Sequence, residues 1–266
     1  MTGKQSLAAA AREVLLCGDA RGKAALAREV AAKWRAGMLD ADAAIPMPDR
    51  PNRPARPELL LPREMPRRSF KGERGRVALL HSLAHIELNA IDLAFDLAGR
   101  FQSEGLPRSF FDDWVAVGDD EARHFTMLEE RLAAFGARYG DLPAHDGLWQ
   151  AAEETSHDLL ARLAVVPMVL EARGLDVTPA MTGRLDAAGD RASAAILETI
   201  YTEEQGHVGA GARWFRHSCE RRGLAPQETF HRLVKRHFRG ALKPPFNAEA
   251  RSAAGLEPSF YEPLAG

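Results

Sequence analysis

Cysteine is nearly absent from this chain of 266 residues: only Cys17 and Cys219 occur. Two isolated thiols with no pairing pattern exclude a disulfide framework and point to a reducing compartment. β-Branched residues are sparse, and no alternating run exceeds a few residues, so the strand signal is missing. No apolar run reaches the roughly 20 residues that span a bilayer, and no membrane partner is expected. Met1-Thr2-Gly3-Lys4 leads into an Ala-rich polar helix without the apolar region of a signal peptide. These absences together give a cytoplasmic protein as the expectation. An excess of charge is also lacking. The formal charge is −2, which predicts no chain-wide attraction to nucleic acid and leaves only a local basic patch as a route to one.

What is there is helix. Apolar residues make up 45% of the chain, enough for the core of one large domain or two small ones. Residues 5–17 and 21–38 read as amphipathic helices broken near Gly18-Asp19. Residues 44–68 hold seven prolines and cannot be helical. This extended arm also carries Arg50, Arg53, Arg56, Arg63, Arg67 and Arg68. Four long helical segments follow. The first spans about 73–104, before Gly105, and the second opens at Pro107 and ends near Gly136. The third runs to Arg173 and stops at Gly174. A short helix opened by Thr178-Pro179 then leads, past an interruption near Gly189, to the fourth, which ends near Arg222. Pro226 starts a further helix to about Phe238, and the tail from Lys243 reads as irregular. The fold class is therefore all-α. Four regions are expected: N-terminal helices in 1–43, the arm in 44–72, a four-helix bundle in 73–222, and a C-terminal helix with a tail packed on the bundle in 223–266.

Two half-sites repeat in this frame. The first is Glu87 with Glu121-Ala-Arg-His124; the second is Glu171 with Glu204-Gln-Gly-His207. The lone Glu precedes its Glu-x-x-His by 34 residues in the first and 33 in the second. A carboxylate-bridged di-metal site in a helix bundle needs one Glu from each of two helices and Glu-x-x-His from each of the other two. Residues three apart share a helix face, so both members of each motif can point at one metal pair. The faces agree. Glu87 sits among Leu80, Leu83, Ile91 and Ala94; Glu121 among Trp114, Val117, Phe125 and Leu128. Glu171 sits with Leu160, Ala164, Met168 and Leu175; Glu204 with Leu197, Ile200, Val208 and Phe215. A carboxylate on such a stripe is costly unless paired or metal-bound.

Other readings compete. Glu154-x-x-His157 also has a Glu 33 residues upstream, Glu121, but its face carries Gln150 and Asp158 and reads as solvated. Glu228-x-x-His231 has no such partner, and Glu228 fits a helix start. Glu203 is an alternative to Glu204. His81 and His85 turn away from Glu87 and read as supporting polar groups. The bland alternative is a helical bundle whose buried carboxylates pair only with His and Arg. Tyr201, one turn from Glu204 on the same face, is the candidate catalytic residue, able to hydrogen-bond a ligand or approach bound oxygen. Pro167 should kink its helix beside Glu171.

The stretches His85-Ile86-Glu87-Leu88-Asn89-Ala90-Ile91-Asp92-Leu93-Ala94, Asp120-Glu121-Ala122-Arg123-His124-Phe125, Glu171-Ala172-Arg173-Gly174-Leu175-Asp176 and Glu204-Gln205-Gly206-His207 carry a resemblance. With Pro244-Pro245-Phe246-Asn247 in the tail, they resemble the ferritin-like bacterial family catalogued as domain of unknown function 455. More distantly the chain is similar to ferritin-like tRNA hydroxylases and bacterioferritin-type ferroxidases. The resemblance implies a ferritin-like four-helix bundle with a dinuclear iron centre. It implies no substrate.

Four carboxylates and two histidines suit Fe or Mn. Glu121 and Glu204 are read as bridging, Glu87 and Glu171 as terminal, with His124 and His207 on one metal each. This donor set leads us to expect an oxidoreductase that uses O2 to oxidise or hydroxylate an organic substrate, with an electron-donor protein as partner. A ferroxidase and a non-catalytic helical interaction protein are the alternatives. Iron storage fits less well, because the arm, fifth helix and tail exceed a compact cage subunit. An apolar-lined cavity reaching the metals is expected, with RNA as a weaker partner for the basic arm.

Overall fold

The computed structural model describes residues 5–41, 44–66 and 72–266. The reading of residues 1–4, and of Arg67 and Arg68 in the arm, lies outside them. The chain is all-α and forms two compact units, Met1–Trp149 and Gln150–Gly266.

The first unit is built from α1 (Leu7–Leu16), α2 (Ala20–Arg35), α3 (Gly72–Arg100) and α4 (Arg108–Ala133). Local chemistry sets the breaks. Ser6 and Asp19 cap the first two helices, their side chains accepting from the amides of Ala9 and Gly22 at 3.1 and 2.6 Å. Gly105 turns the chain with φ 64°, and α4 begins directly after Pro107. Two-residue strands, Gln5–Ser6 and Leu39–Asp40, pair in parallel; a ladder this short has no period for a sequence to display. Helix α3 is, among the described residues, the one helix long and apolar enough to cross a membrane, and 72% of its most apolar window is buried inside the protein. It packs against α4 over much of its length. Gly118 makes the approach possible, since a Cβ there would meet the Phe95 ring at 2.6 Å.

The arm is fastened rather than free. Asn52 donates from its amide to the Leu15 carbonyl and from its side chain to Leu16. Arg100 donates to the Pro48 carbonyl and Trp149 to that of Asp49. Leu59 bridges to Ala144 as a single parallel rung. Two of the arm's cations are consumed in this fastening: Arg50 pairs with Asp146, while Arg53 reaches Asn89 at 2.6 Å and Asp92 at 3.5 Å.

The second unit contains α6 (Leu159–Val165), a π-helical turn at Val166–Glu171, α7 (Ala172–Ala187), α8 (Arg191–Arg221), α9 (Pro226–His237), α10 (Ala248–Ala253) and α11 (Pro258–Tyr261); the division between units falls within α5 (Gly147–Glu154). Here the helix boundaries differ from the sequence reading in three places. The third helix is broken at residues 155–158. Asp158 caps α6 through the Leu160 amide, and buried Arg162 bonds back to Thr155 and the Ala152 carbonyl. The helix then passes straight through Gly174 and Pro179 to Ala187, and the break comes at Gly189, with φ 78°. Pro179 has no N–H for the carbonyl one turn back, Leu175. Asn247 supplies the missing donor, its Nδ2 lying 3.2 Å from that oxygen. Finally, the tail is not irregular throughout: it forms α10 and α11, with Asn247 capping α10. Arg251 locks the tail down by a two-pronged pair to Asp176, at 2.8 and 2.7 Å.

Pro167 does perturb its helix, as a π turn rather than a simple kink. Its ring seats against Gly211 of α8, where an added Cβ would lie 2.5 Å from it. Both partners are rigid, so neither can yield cheaply. Gly211→Ala is expected to cost about 1–3 kcal/mol by overpacking, read as a lowered Tm in thermal denaturation. Gly206→Ala on the same helix, where a Cβ meets nothing within 4 Å, should leave Tm unchanged or raise it.

Candidate metal centre

Helix α3 contributes Glu87 and α4 contributes Glu121 and His124 to one cluster. All three are buried: Glu87 is 3% exposed and the other two 0%. His124 Nδ1 stands 3.3 Å from Glu87 and 3.5 Å from Glu121, and one donor atom from each residue lies within 4.8 Å of the others. The three-residue step from Glu121 to His124 puts both on the α4 face that packs against α3.

Electrostatics shows what this cluster needs. Burial, followed by repulsion from Glu121, pushes the Glu87 carboxyl well above the usual range. Burial opposes a charge on His124, but its bonds to Glu121 and Glu87 outweigh this and lift it to about 11. The trio therefore holds a proton where positive charge is required. A divalent cation meets the same need more fully. Two carboxylates and an imidazole, with no thiolate, are donors for Fe(II) or Mn(II) rather than for structural zinc. His124 must give up its proton to act as a ligand.

The second half-site lies in the second unit. Glu204 and His207 face each other on α8 at 3.6 Å, His207 buried and Glu204 half-buried. Glu171 is half-buried at the last position of the π turn, which packs against α8. π turns often sit at functional positions because they redirect the residues beside them. Glu203 is half-buried on the same helix. Tyr201 accepts a hydrogen bond from Asn247 Nδ2 at 3.0 Å, which leaves its own O–H free to donate.

The rival motifs have other surroundings. Glu154 and His157 are exposed. Glu154 lies 3.5 Å from His237, whose ring sits 5.7 Å from that of His157. His231 is taken by the carbonyls of Ser259 and Phe260, both at 3.0 Å.

Sequence reasoning took His81 and His85 for supporting polar groups but missed the buried polar layer along α3 to which they belong. His81, His85, Asn89, Asp92 and Asp96 recur every three or four residues and are all buried; that spacing was the available signal. Asp92 meets Lys23, both fully enclosed. His85 Nε2 lies 3.0 Å from the His145 carbonyl, which can only accept. Burial holds the ring neutral, lowering it to about 4. The proton is therefore on Nε2, and Nδ1 accepts from the Tyr139 hydroxyl at 2.8 Å. Tyr139 in turn stacks on His81 and meets Phe125 edge-on, 5.5 Å away. Phe125 follows His124 directly, so this layer braces the ring beside the Glu87, Glu121 and His124 cluster.

Comparison with known proteins gives a family and no activity. A family model described as "Protein of unknown function (DUF455)" matches residues 16–262. A Haemophilus influenzae protein that bears the name "Uncharacterized protein" is 41% identical over 210 residues, covering 76% of this chain and 72% of that one. No solved structure matches. The chain belongs to the family described as protein of unknown function (DUF455).

Proposed function

We propose that this protein is a ferritin-like di-metal oxidoreductase, holding two iron or manganese ions and using O2 to oxidise or hydroxylate an organic substrate. One observation carries the reading. The buried trio Glu87, Glu121 and His124 is repeated by Glu171, Glu204 and His207 at matched spacing, which is the donor inventory of such a centre. Its four carboxylates balance two divalent ions. When bound, the metal pair supplies the capacity to activate O2. The chain's own residues do the rest. Glu87 and His124 keep the first half-site charge-balanced by exchanging a proton for metal. Glu171 stands at the end of the π turn that packs against α8. Asn247 orients Tyr201 so that its hydroxyl can donate to a group beside Glu204. The apolar residues around the ligands keep water from the reacting atoms.

Anaerobic loading with Fe(II), followed by elemental analysis, should give close to two irons per chain. His124→Ala should lower that sharply, and His157→Ala should leave it unchanged. A folded wild type with almost no iron would overturn the di-metal reading. O2 consumption with excess Fe(II) and no organic substrate then separates the chemistries. A single stoichiometric oxidation that stalls supports the oxygenase. Sustained turnover that deposits ferric mineral would assign a ferroxidase instead.

A further inference from the structure

Charge is distributed very unevenly along this chain. Residues 213–243 hold nine Lys and Arg against two Glu, a net +7 in a chain whose total is −2, so the remainder stands at −9. Much of that surplus collects on and just beyond α9. Arg232, Lys235 and Arg236 are exposed on one face of the helix, and exposed Arg239 follows just past its end. With Glu228 and His231, the first three border an open depression of about 580 Å³. Arginines elsewhere are mostly committed: Arg21 to Glu129, Arg28 and Arg35 to Asp119, Arg50 to Asp146, Arg222 to Asp158. Among the described residues, Arg232, Lys235, Arg236 and Arg239 enter no ion pair. The helix keeps three cations together on one face, with Glu228 alone opposing them there and Arg239 following just past its end.

We propose that this face of α9 docks the phosphodiester backbone of a nucleic acid. The spacing suits it. Arg232 and Arg236 are one turn apart, about 6 Å along the axis, close to two of the 3.4 Å axial steps along one strand of a duplex. The face is also wrong for the other large anions. Membrane-surface helices bury an apolar stripe beneath their cations, but Phe230, Leu233 and Val234 all point into the protein. The exposed face carries no aromatic platform for bases, so contact is to the backbone and independent of sequence. This inference does not depend on the metal reading.

Fluorescence anisotropy of the full chain with a labelled 20-nucleotide poly(U) RNA and a 20-base-pair DNA duplex tests it. At 50 mM KCl the wild type should bind at least one of them with a Kd of about 1–100 μM. With three or four phosphates neutralised, the log–log salt slope on the single strand should be about −2 to −3. The fourfold variant Arg232→Gln, Lys235→Gln, Arg236→Gln, Arg239→Gln should weaken binding at least ~30-fold and flatten that slope. These side chains are exposed, so circular dichroism should show an intact fold. Arg28→Gln with Arg35→Gln should leave binding unchanged. The proposal is overturned by wild type that binds neither oligonucleotide, or by a fourfold variant that binds as tightly as wild type. It is equally overturned if polyglutamate of matched charge competes as well as RNA, which would assign an acidic protein partner. Tighter binding to phosphatidylserine vesicles would likewise assign a lipid surface.

Discussion

Asp92→Ala is expected to be the most destabilising single substitution in the first unit, costing about 3–5 kcal/mol. Asp92 is fully buried between Lys23 and Arg53. Burial pushes its carboxyl up and the Lys23 ammonium down, so each charge persists only because the other is there. Removing the carboxylate leaves Lys23 as an enclosed cation bonded to the carbonyls of Leu15 and Asn52 alone. It also removes an anion facing Arg53, which loosens the arm. Urea denaturation should show a lower midpoint with little change in slope. The double variant Asp92→Leu, Lys23→Met should recover much of the loss, because an apolar pair leaves no uncompensated charge. A single variant within 1 kcal/mol of wild type would show that the pair contributes nothing net.

Glu121→Gln is expected to separate metal binding from stability. With metal present, the wild type should gain about 2.7 kcal/mol at a free metal concentration of 100 times Kd, and the variant should lose that gain entirely. Without metal, the variant should melt within a few degrees of wild type. It leaves one carboxylate, Glu87, opposite one imidazolium, His124, which is a balanced pair. The pH dependence follows from the same charges. The folded value for His124, about 11, lies above its ordinary 6.5. Its contribution to stability is thus complete below pH 6.5 and disappears as pH rises toward 11. Glu87, also raised, acts in the same direction. The metal-free protein should therefore lose Tm between pH 6.5 and 9, and bound metal should remove that slope by displacing the proton. A Tm that rises over this range in the metal-free wild type would contradict the charge assignment.

The parts of this molecule that follow local rules were legible in the sequence. Asp19 announces α2, Gly105 and Pro107 announce the turn between α3 and α4, and Pro226 starts α9. The three-residue step in Glu121-x-x-His124 and its 34-residue distance from Glu87 picked out residues that the structure brings within 4.8 Å. What was illegible depends on distant partners. Thr178-Pro179 has the form of a helix start, yet the helix runs through it because the compensating donor is Asn247. Nothing within ten residues of Pro179 encodes that. The arm read only as an extended basic segment because the acids that bind Arg50 and Arg53 lie 96 and 39 residues away in sequence. The polar layer on α3 was partly visible as His81 and His85. Its burial was not, since Tyr139 and Lys23 belong to other elements.

The bond from Asn247 to the Leu175 carbonyl also fixes an order of events during synthesis. A nascent chain that has emerged as far as Lys243 has made all of α7 and α8, but Pro179 leaves one carbonyl of α7 without a donor. Asp176, deep in the same helix, still lacks Arg251. Both defects sit one or two turns from Glu171. These two contacts of α7 therefore form only after residues 247–251 clear the ribosome tunnel, whereas Glu87, Glu121 and His124 lie on helices completed by Ala133. Translation therefore completes the surroundings of Glu121 and His124 before those of Glu171, whose helix waits for the tail.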